Sequence, residues 1–520
     1  MQILRSHLSG RWQSGDGHPA LLLNPTTEAP LAQCSTAGLD LAEALAFARR
    51  MGGPALREMT FAQRGGLLQA MREAIHADRE HLIELAVQNG GNTRSDAKFD
   101  IDGALGTLGY YADLGKALGD RRFLLDGPAE NIGRGGRVQA HHVRMPRHGV
   151  AVHINAFNFP AWGLAEKAAC AILAGVPVLS KPATSTALVT YRIVEVLVEK
   201  NAVPPGVLSL LCGTVGDLLD HLGPQDVVAF TGSADTGARI RSHKGVLRAG
   251  APVNVEADSL NAVVLGAAED ATYDAFIKHI HTEMTQKAGQ KCTATRRILV
   301  PRDRAQEVVA DLSERLAGVV LGDPARDDVH VGPLATADQR KSALEGIALL
   351  LDGARPVFGA PGRGAPVGVD AGKGFFVSPL LLMAEDAHFA GAVHDLEVFG
   401  PVATVLPYNG SIGDATALLA RGHGSLVSTV YGDDRRFLEQ AVLEMSPWVG
   451  RLGIIDEKIA DKALAPGMVL PGLNHGGPGR AGGGSELGGT RGLEFYTQRC
   501  AVQGNGPLTG RFLGVTVSEG

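Results

Sequence analysis

Cys292 stands in Q-K-A-G-Q-K-C-T-A-T-R-R (286–297) and Glu256 in V-N-V-E-A-D-S-L-N-A (253–262), with an apolar, helix-like stretch between them. Upstream lie F-N-F-P (157–160), which carries Asn158, and F-T-G-S (230–233). A thiol nucleophile, a carboxylate base and an amide N–H donor are the three groups needed to turn an aldehyde into an acid through a thioester. Singly, each residue has an ordinary explanation. A free cysteine is more often an inert buried side chain, a lone glutamate is commonly solvated, and an Asn ahead of Pro160 suits a turn that opens a helix. Together they point to an oxidoreductase. Lys287, Lys291 and nearby backbone amides are expected to give Cys292 the electropositive, partly accessible setting that a thiolate needs.

The elements that must position these groups follow from the hydrophobic pattern. Residues 39–53, 60–90 and 97–116 read as amphipathic helices. The stretch 120–148, with Gly127-Pro128, G-R-G-G (133–136) and an alternating V-Q-A-H-H-V-R-M, reads as an exposed hairpin arm. From 149 onward, short apolar runs at 150–155, 176–181, 207–211 and 227–230 alternate with helical segments at 160–174 and 185–200. That texture predicts a parallel sheet covered on both faces. Glu256 ends a strand-like segment, where α/β proteins place functional groups. The pattern resumes with 262–265, a helix near 271–288, 297–300 and a helix near 303–317, up to about 475. Within the Gly-rich 473–489 stretch, the 476–489 loop is ambiguous between a weak dinucleotide-contacting signal and the flexible surface segment that most such loops are. The tail after it alternates enough to add a strand to a sheet.

Composition sets the outer limits. At 520 residues the chain exceeds one simple core, so two or three domains are expected. A net charge of −6 with dispersed basic residues leaves no nucleic-acid footprint. Five widely spaced cysteines without CxxC argue against a disulfide framework or a zinc site and for a reducing, cytoplasmic setting. No signal-peptide pattern or membrane-length apolar run is present, so no membrane partner and no metal are expected.

The motifs in order are G-R-W (10–12), N-P-T-T-E (24–28), F-N-F-P, V-L-S-K-P (178–182), F-T-G-S, the Glu256 segment, G-Q-K-C (289–292), L-E-V-F-G-P-V (396–402) and E-L-G-G (486–489). This ordered set resembles the aldehyde dehydrogenase superfamily over nearly the whole chain. The resemblance implies an α/β fold with a doubly wound dinucleotide-binding domain (1–125 and 148–255) and an α/β catalytic domain (256–475). It also implies a small β oligomerisation arm and tail (126–147 and 496–520), pairing across the boundary of a homodimer. Cys292 then matches the nucleophile, Glu256 the base for deacylating water and Asn158 the oxyanion donor. Lys167 and Glu486 match a buried pair that moves protons to and from the base. Lys181, Thr184, Phe230, Gly232 and Ser233 match the adenosine and pyrophosphate region, and Glu397 and Phe399 the nicotinamide end.

Departures from the family pattern carry expectations of their own. Thr184 stands where NAD-preferring members often have a glutamate, and Lys181 is a nearby cation. The cofactor expected is therefore NADP, with NAD possible. E-A-D-S replaces the common E-L-G-G after the base, so the chain there is expected to run differently. H-G-G-P-G-R-A-G-G-G-S-E-L-G-G (475–489) with E-F-Y-T-Q-R (494–499) resembles a narrower branch that oxidises CoA-linked semialdehydes after ring cleavage in aerobic aromatic catabolism. With no hydratase domain after Tyr496, the stand-alone enzymes of that branch are the expectation. The alternatives are a dehydrogenase of free aldehydes, a CoA-acylating dehydrogenase (against which Glu256 counts), and a non-catalytic protein retaining the fold.

Overall fold

The structure, a computed structural model, describes residues 1–133, 137–465 and 467–515. Most of the G-R-G-G run and the last five residues of the expected tail lie outside the described residues. Two seven-stranded sheets carry the molecule. The first runs, in spatial order, Val253–Glu256, Val227–Thr231, Ala151–Ile154, Val178–Lys181, Leu208–Leu210, Ser6–Leu8 and Arg11–Gln13. Its first five strands are parallel and the last two antiparallel. The second runs Arg355–Phe358, Leu380–Met383, Val402–Tyr408, Arg297–Pro301, Ala262–Leu265, Ser425–Tyr431 and Val449–Ile455. Ala151–Ile154 and Ala262–Leu265 are buried at every residue, as central strands covered on both faces must be.

Parallel strands need crossovers, and helices Trp162–Ala174, Ala187–Glu199 and Ala234–Arg241 supply them in the first sheet. The register pairs Thr231 with Glu256 and Lys181 with Ile154. The carboxyl ends of four strands therefore open at one edge, where Asn155–Pro160, Lys181, Thr231–Ser233 and Glu256 emerge. Ala161 has no side chain able to cap the Trp162–Ala174 helix. Asp100, from helix Arg94–Leu118, accepts from Ala161 N (3.2 Å) and Trp162 N (2.8 Å) instead. That cap from a neighbouring element sets the helix carrying Glu166 and Lys167.

Two expectations change here. The arm and the tail pair with each other inside one chain: Thr497–Asn505 lies antiparallel along the full length of Val138–Pro146. The turn before the strand brings Tyr496 O to Arg147 N (3.2 Å), and Arg144 bridges Asp126 (3.0 Å) and Glu494 (2.8 Å), so the two segments meet in cis. The Gly-rich segment is also not a free loop. It folds into a hairpin of Asn474–Gly476 and Ser485–Leu487 packed under the Val253–Glu256 strand. Gly482, at φ 101°, would bring a Cβ to 2.2 Å from Val255 O, so only glycine allows that approach.

Arg64 shows how the helical layer is held. Fully buried in helix Phe61–Ala77, it donates to the carbonyls of Leu56 (2.9 Å), Met59 (2.9 Å), Arg122 (3.0 Å) and Leu173 (2.9 Å). One guanidinium thereby satisfies carbonyls left over at the ends of two helices and an adjoining turn. Arg64→Met is expected to lower stability by about 3 kcal/mol through unpaired carbonyls, measured by urea unfolding. An unchanged midpoint and slope would refute that role.

Candidate active site

The turn ahead of Cys292 is built against backbone preference. Lys287 (φ 55°), Ala288 (φ 52°) and Gly289 (φ 69°) are three successive left-handed residues, two with a Cβ. Such strain persists only where the surroundings over-determine it. Here a Cβ on Gly289 would lie 2.1 Å from Gly400 O, so the turn is pressed onto the segment carrying Glu397 and Phe399. Arg296 clasps both sides, donating to Gly289 O (2.9 Å) and Gly400 O (2.9 Å). On the other side of the nucleophile, Asn261 Nδ2 donates to Cys292 O (2.8 Å) and Ala294 O (2.9 Å).

The structure brings Cys292, Glu256 and Asn158 to one pocket, walled by Phe99, Phe159, Trp162 and Val469. Asn158 Nδ2 donates to Gln290 O at 3.1 Å, two residues before the nucleophile. An amide has a second N–H to offer a developing oxyanion. His475, absent from the sequence reading, completes the group. Its Nε2 lies 3.2 Å from Glu256 Oε2 and 3.9 Å from Cys292 Sγ. Burial alone would push the Glu256 carboxyl up, but the His475 imidazole and the Lys167 ammonium outweigh it and hold it well below the usual carboxylate range. Burial alone would lower His475, and Glu256 more than offsets that. A histidine in a glycine run was the available signal, and nothing local said which residue it would meet.

The lysines beside Cys292 do not serve it. Lys291 Nζ turns away to Glu283 (2.8 Å) and Gln286 (2.8 Å), and Lys287 Nζ lies over the Phe159 ring at 4.4 Å, in the field of Asp96 and Asp100. Burial first, then the Glu256 and Glu166 carboxylates, push the Cys292 thiol well above its ordinary range. These surroundings favour the neutral thiol at Cys292, contrary to the electropositive setting expected from sequence.

Lys167 and Glu486 do meet, Nζ to Oε2 at 3.1 Å, and Lys167 is also 2.8 Å from its neighbour Glu166. Asn254 Nδ2 donates to the other Glu486 oxygen at 3.0 Å. Burial works against the Lys167 charge, but Glu166 and Glu486 raise its pKa nonetheless. Glu166 was missed, although an E-K pair inside L-A-E-K-A-A-C-A-I-L-A is a visible anomaly in an apolar helix.

A second cleft, about 1430 Å³ and open to solvent, meets the pocket at Cys292. Ala156, Asn158, Thr231, Glu256 and Cys292 line both cavities. Of the expected cofactor residues, Gly232, Ser233, Glu397 and Phe399 line this cleft. Ser233 caps helix Ala234–Arg241, accepting from Thr236 N. Lys181 and Thr184 flank the lining residue Ala183, and the Thr184 hydroxyl donates to Gly213 O (3.0 Å). The Phe230 ring is not in the cleft but buried in the core with Ile240 and Val255. Burial pushes the Glu397 carboxyl up to about 7, opposed by Arg296 at 3.5 Å and by the Ser259 N–H at 3.0 Å.

Asn261→Leu is expected to leave the Cys292 and Ala294 carbonyls unpaired, costing about 2–3 kcal/mol of stability. The same change should lower kcat at least 10-fold through displacement of the nucleophile. Urea unfolding and steady-state kinetics check it. Full activity in a folded variant would show that Asn261 does not position Cys292.

The aldehyde dehydrogenase family profile matches residues 12–502. The 3,4-dehydroadipyl-CoA semialdehyde dehydrogenase of Aromatoleum evansii is 45% identical over 478 residues, 91% of this chain and 93% of its own. The betaine aldehyde dehydrogenase of Bacillus subtilis (strain 168) is 27% identical, covering 76% of this chain and 79% of its own. Among solved structures, a putative aldehyde dehydrogenase from Burkholderia cenocepacia superposes with a TM-score of 0.83 at 25% identity, over 97% and 98% of the two chains. With a family match over residues 12–502, which takes in both sheets and the junction of the two cavities at Cys292, this chain belongs to the aldehyde dehydrogenase family and is an oxidoreductase using a nicotinamide dinucleotide.

Proposed function

We propose that the protein oxidises a CoA-linked semialdehyde, 3,4-dehydroadipyl-CoA semialdehyde in aerobic aromatic degradation, to its carboxylic acid with NADP. The observation that carries the chemistry is the wall shared by the two cavities at Cys292, Asn158 and Glu256. An aldehyde entering from one side and a hydride acceptor from the other meet at one thiol. The substrate assignment is supported by the 45% identity to an enzyme named for that substrate. Preference for NADP is supported by Thr184 in place of a carboxylate that would repel a 2′-phosphate, with Lys181 close by in the chain.

The chemistry of the cleft fits a dinucleotide. Small residues (Ala183, Gly232, Ala257) allow close approach, Ser233 caps a helix whose N-terminus favours phosphate, and Glu397 and Phe399 offer a carboxylate and a ring at the far end. When bound, the nicotinamide supplies the hydride acceptor that turns a thiohemiacetal into a thioester. The chain supplies the rest. Cys292 gives its proton to the adjoining Glu256 carboxylate and adds to the carbonyl carbon, while an Asn158 N–H stabilises the oxyanion. That proton leaves Glu256 before the carboxylate acts on water. Glu256 takes a proton from the water that releases the acid and frees Cys292. Glu486, Lys167 and Glu166 form the buried ionic chain beside it, able to carry that proton away.

In this reading residues 1–125 and 148–255 bind the dinucleotide and 256–475 complete the catalytic unit. The arm and tail, 126–147 and 496–520, form a homodimer contact of a cytoplasmic enzyme. The Thr497–Asn505 strand ends its sheet with an exposed edge, which a second copy would cover.

Steady-state oxidation tests it, using the CoA-linked semialdehyde beside a free short aldehyde, with both cofactors, on wild type, Cys292→Ala and Asn158→Ala. The expected result is activity that requires the CoA portion, favours NADP, vanishes in Cys292→Ala and falls about 100-fold in Asn158→Ala. Equal rates on the free aldehyde would discard the CoA assignment, and activity in Cys292→Ala would discard the nucleophile.

A further inference from the structure

We infer that Cys292, His475 and Glu256 together form a binding site for a zinc-type divalent cation, and that an ion held there locks the enzyme in an inactive state. The three residues are far apart in sequence, yet one ligand atom of each lies within 4.8 Å of the other two. Nε2 of His475 is 3.2 Å from Glu256 Oε2 and 3.9 Å from Cys292 Sγ. Tetrahedral zinc, with bonds of about 2.0–2.3 Å, spaces such ligands roughly 3.3–3.6 Å apart. Both distances from His475 Nε2 are within a few tenths of an ångström of that spacing, and the sulfur and the carboxylate lie within 4.8 Å of each other.

Charge favours the same conclusion. Carboxylate oxygens of Glu166, Glu256 and Glu486 also lie within 4.8 Å of one another. Lys167 pairs with Glu166 and Glu486, and His475 faces Glu256, so an ion bound by Cys292, His475 and Glu256 would take the place of the imidazole as the carboxylate's partner. The donor set decides which ion. Thiolate and imidazole suit zinc, whereas magnesium and calcium take oxygen ligands. Three protein ligands leave a fourth position for water.

Binding forms Sγ–metal, Nε2–metal and Oε2–metal bonds. The thiol proton, and an imidazolium proton where present, leave to solvent, with no change in oxidation state. Once the ion sits there, the sulfur's charge is drawn into the metal bond and its nucleophilicity falls, and the bound Glu256 oxygen cannot accept a proton from water. This inference holds whichever aldehyde the enzyme oxidises.

The test uses the full chain with Cys500→Ser, which removes the exposed thiol. Cobalt(II) is added as a spectroscopic probe and zinc as a competitor, without aldehyde or dinucleotide. One equivalent of cobalt should give a thiolate-to-metal charge-transfer band and the strong visible bands of a four-coordinate ion. Zinc should displace it and slow alkylation of Cys292 by iodoacetamide at least 10-fold, while millimolar magnesium does neither. His475→Asn and Glu256→Gln should each weaken cobalt binding at least 10- to 100-fold, and Cys292→Ser should remove the charge-transfer band. No charge-transfer band at stoichiometric cobalt in the parent protein would overturn the site. So would unchanged affinity in a folded His475→Asn or Glu256→Gln protein. Circular dichroism establishes folding, and the parent spectrum decides the question even where a variant fails to fold.

Discussion

The passage from Glu256 to Ala262 is the constraint on which the rest depends. Within it the chain leaves one seven-stranded sheet and enters the other. Each of its polar residues ties down a different part of the site. Glu256 faces His475 and the thiol; Asp258 accepts from the N-terminal amide of the Ala234–Arg241 helix at 3.1 Å. Ser259 donates its N–H to Glu397, and its hydroxyl accepts from Leu426 N at 2.8 Å. Asn261 holds the Cys292 and Ala294 carbonyls and accepts from Val427 N at 3.0 Å. These groups are mostly buried, so each bond left unmade would cost the full desolvation of its partner. Relative placement of thiol, carboxylate and cleft is thus set by backbone-directed hydrogen bonds and does not rely on flexible side chains.

A second principle is the segregation of charge. Lys287 and Lys291, each within five residues of Cys292, are drawn off by Asp96 and Asp100 and by Glu283. After burial, the strongest influences on the thiol are the Glu256 and Glu166 carboxylates, set against the Arg296 and Arg451 guanidiniums. A thiol kept protonated is a poor nucleophile and a poor target for chance oxidation. Its activation then depends on groups that arrive with the reactants or on transfer of its proton within the buried cluster.

The strained turn at 287–289 belongs to the same design. Its left-handed residues press Gly289 against Gly400, and Arg296 stitches the two segments together. Phe399 stacks edge-on with Phe157 at 5.8 Å, one residue from Asn158. Cys292, Asn158 and the far end of the cleft are therefore mechanically one unit, although they come from three widely separated stretches of chain.

By itself the sequence determined a good deal. The alternation of apolar runs with helices marked the parallel strands, because strands buried on both faces must be apolar and must be joined by crossovers. The ordered motifs singled out Cys292, Glu256 and Asn158, and the fold brings these three to one pocket. Lys167 and Glu486 were legible only through the resemblance, and their 3.1 Å contact needed the fold. Tertiary structure alone decided the rest. It turned a glycine-rich segment into a hairpin that delivers His475, diverted the neighbouring lysines and paired the arm with the tail in cis. It also buried Phe230 away from the cleft. The physical reason is common to all of these: where a charge or a ring ends up depends on partners tens or hundreds of residues away, and local pattern carries no information about them.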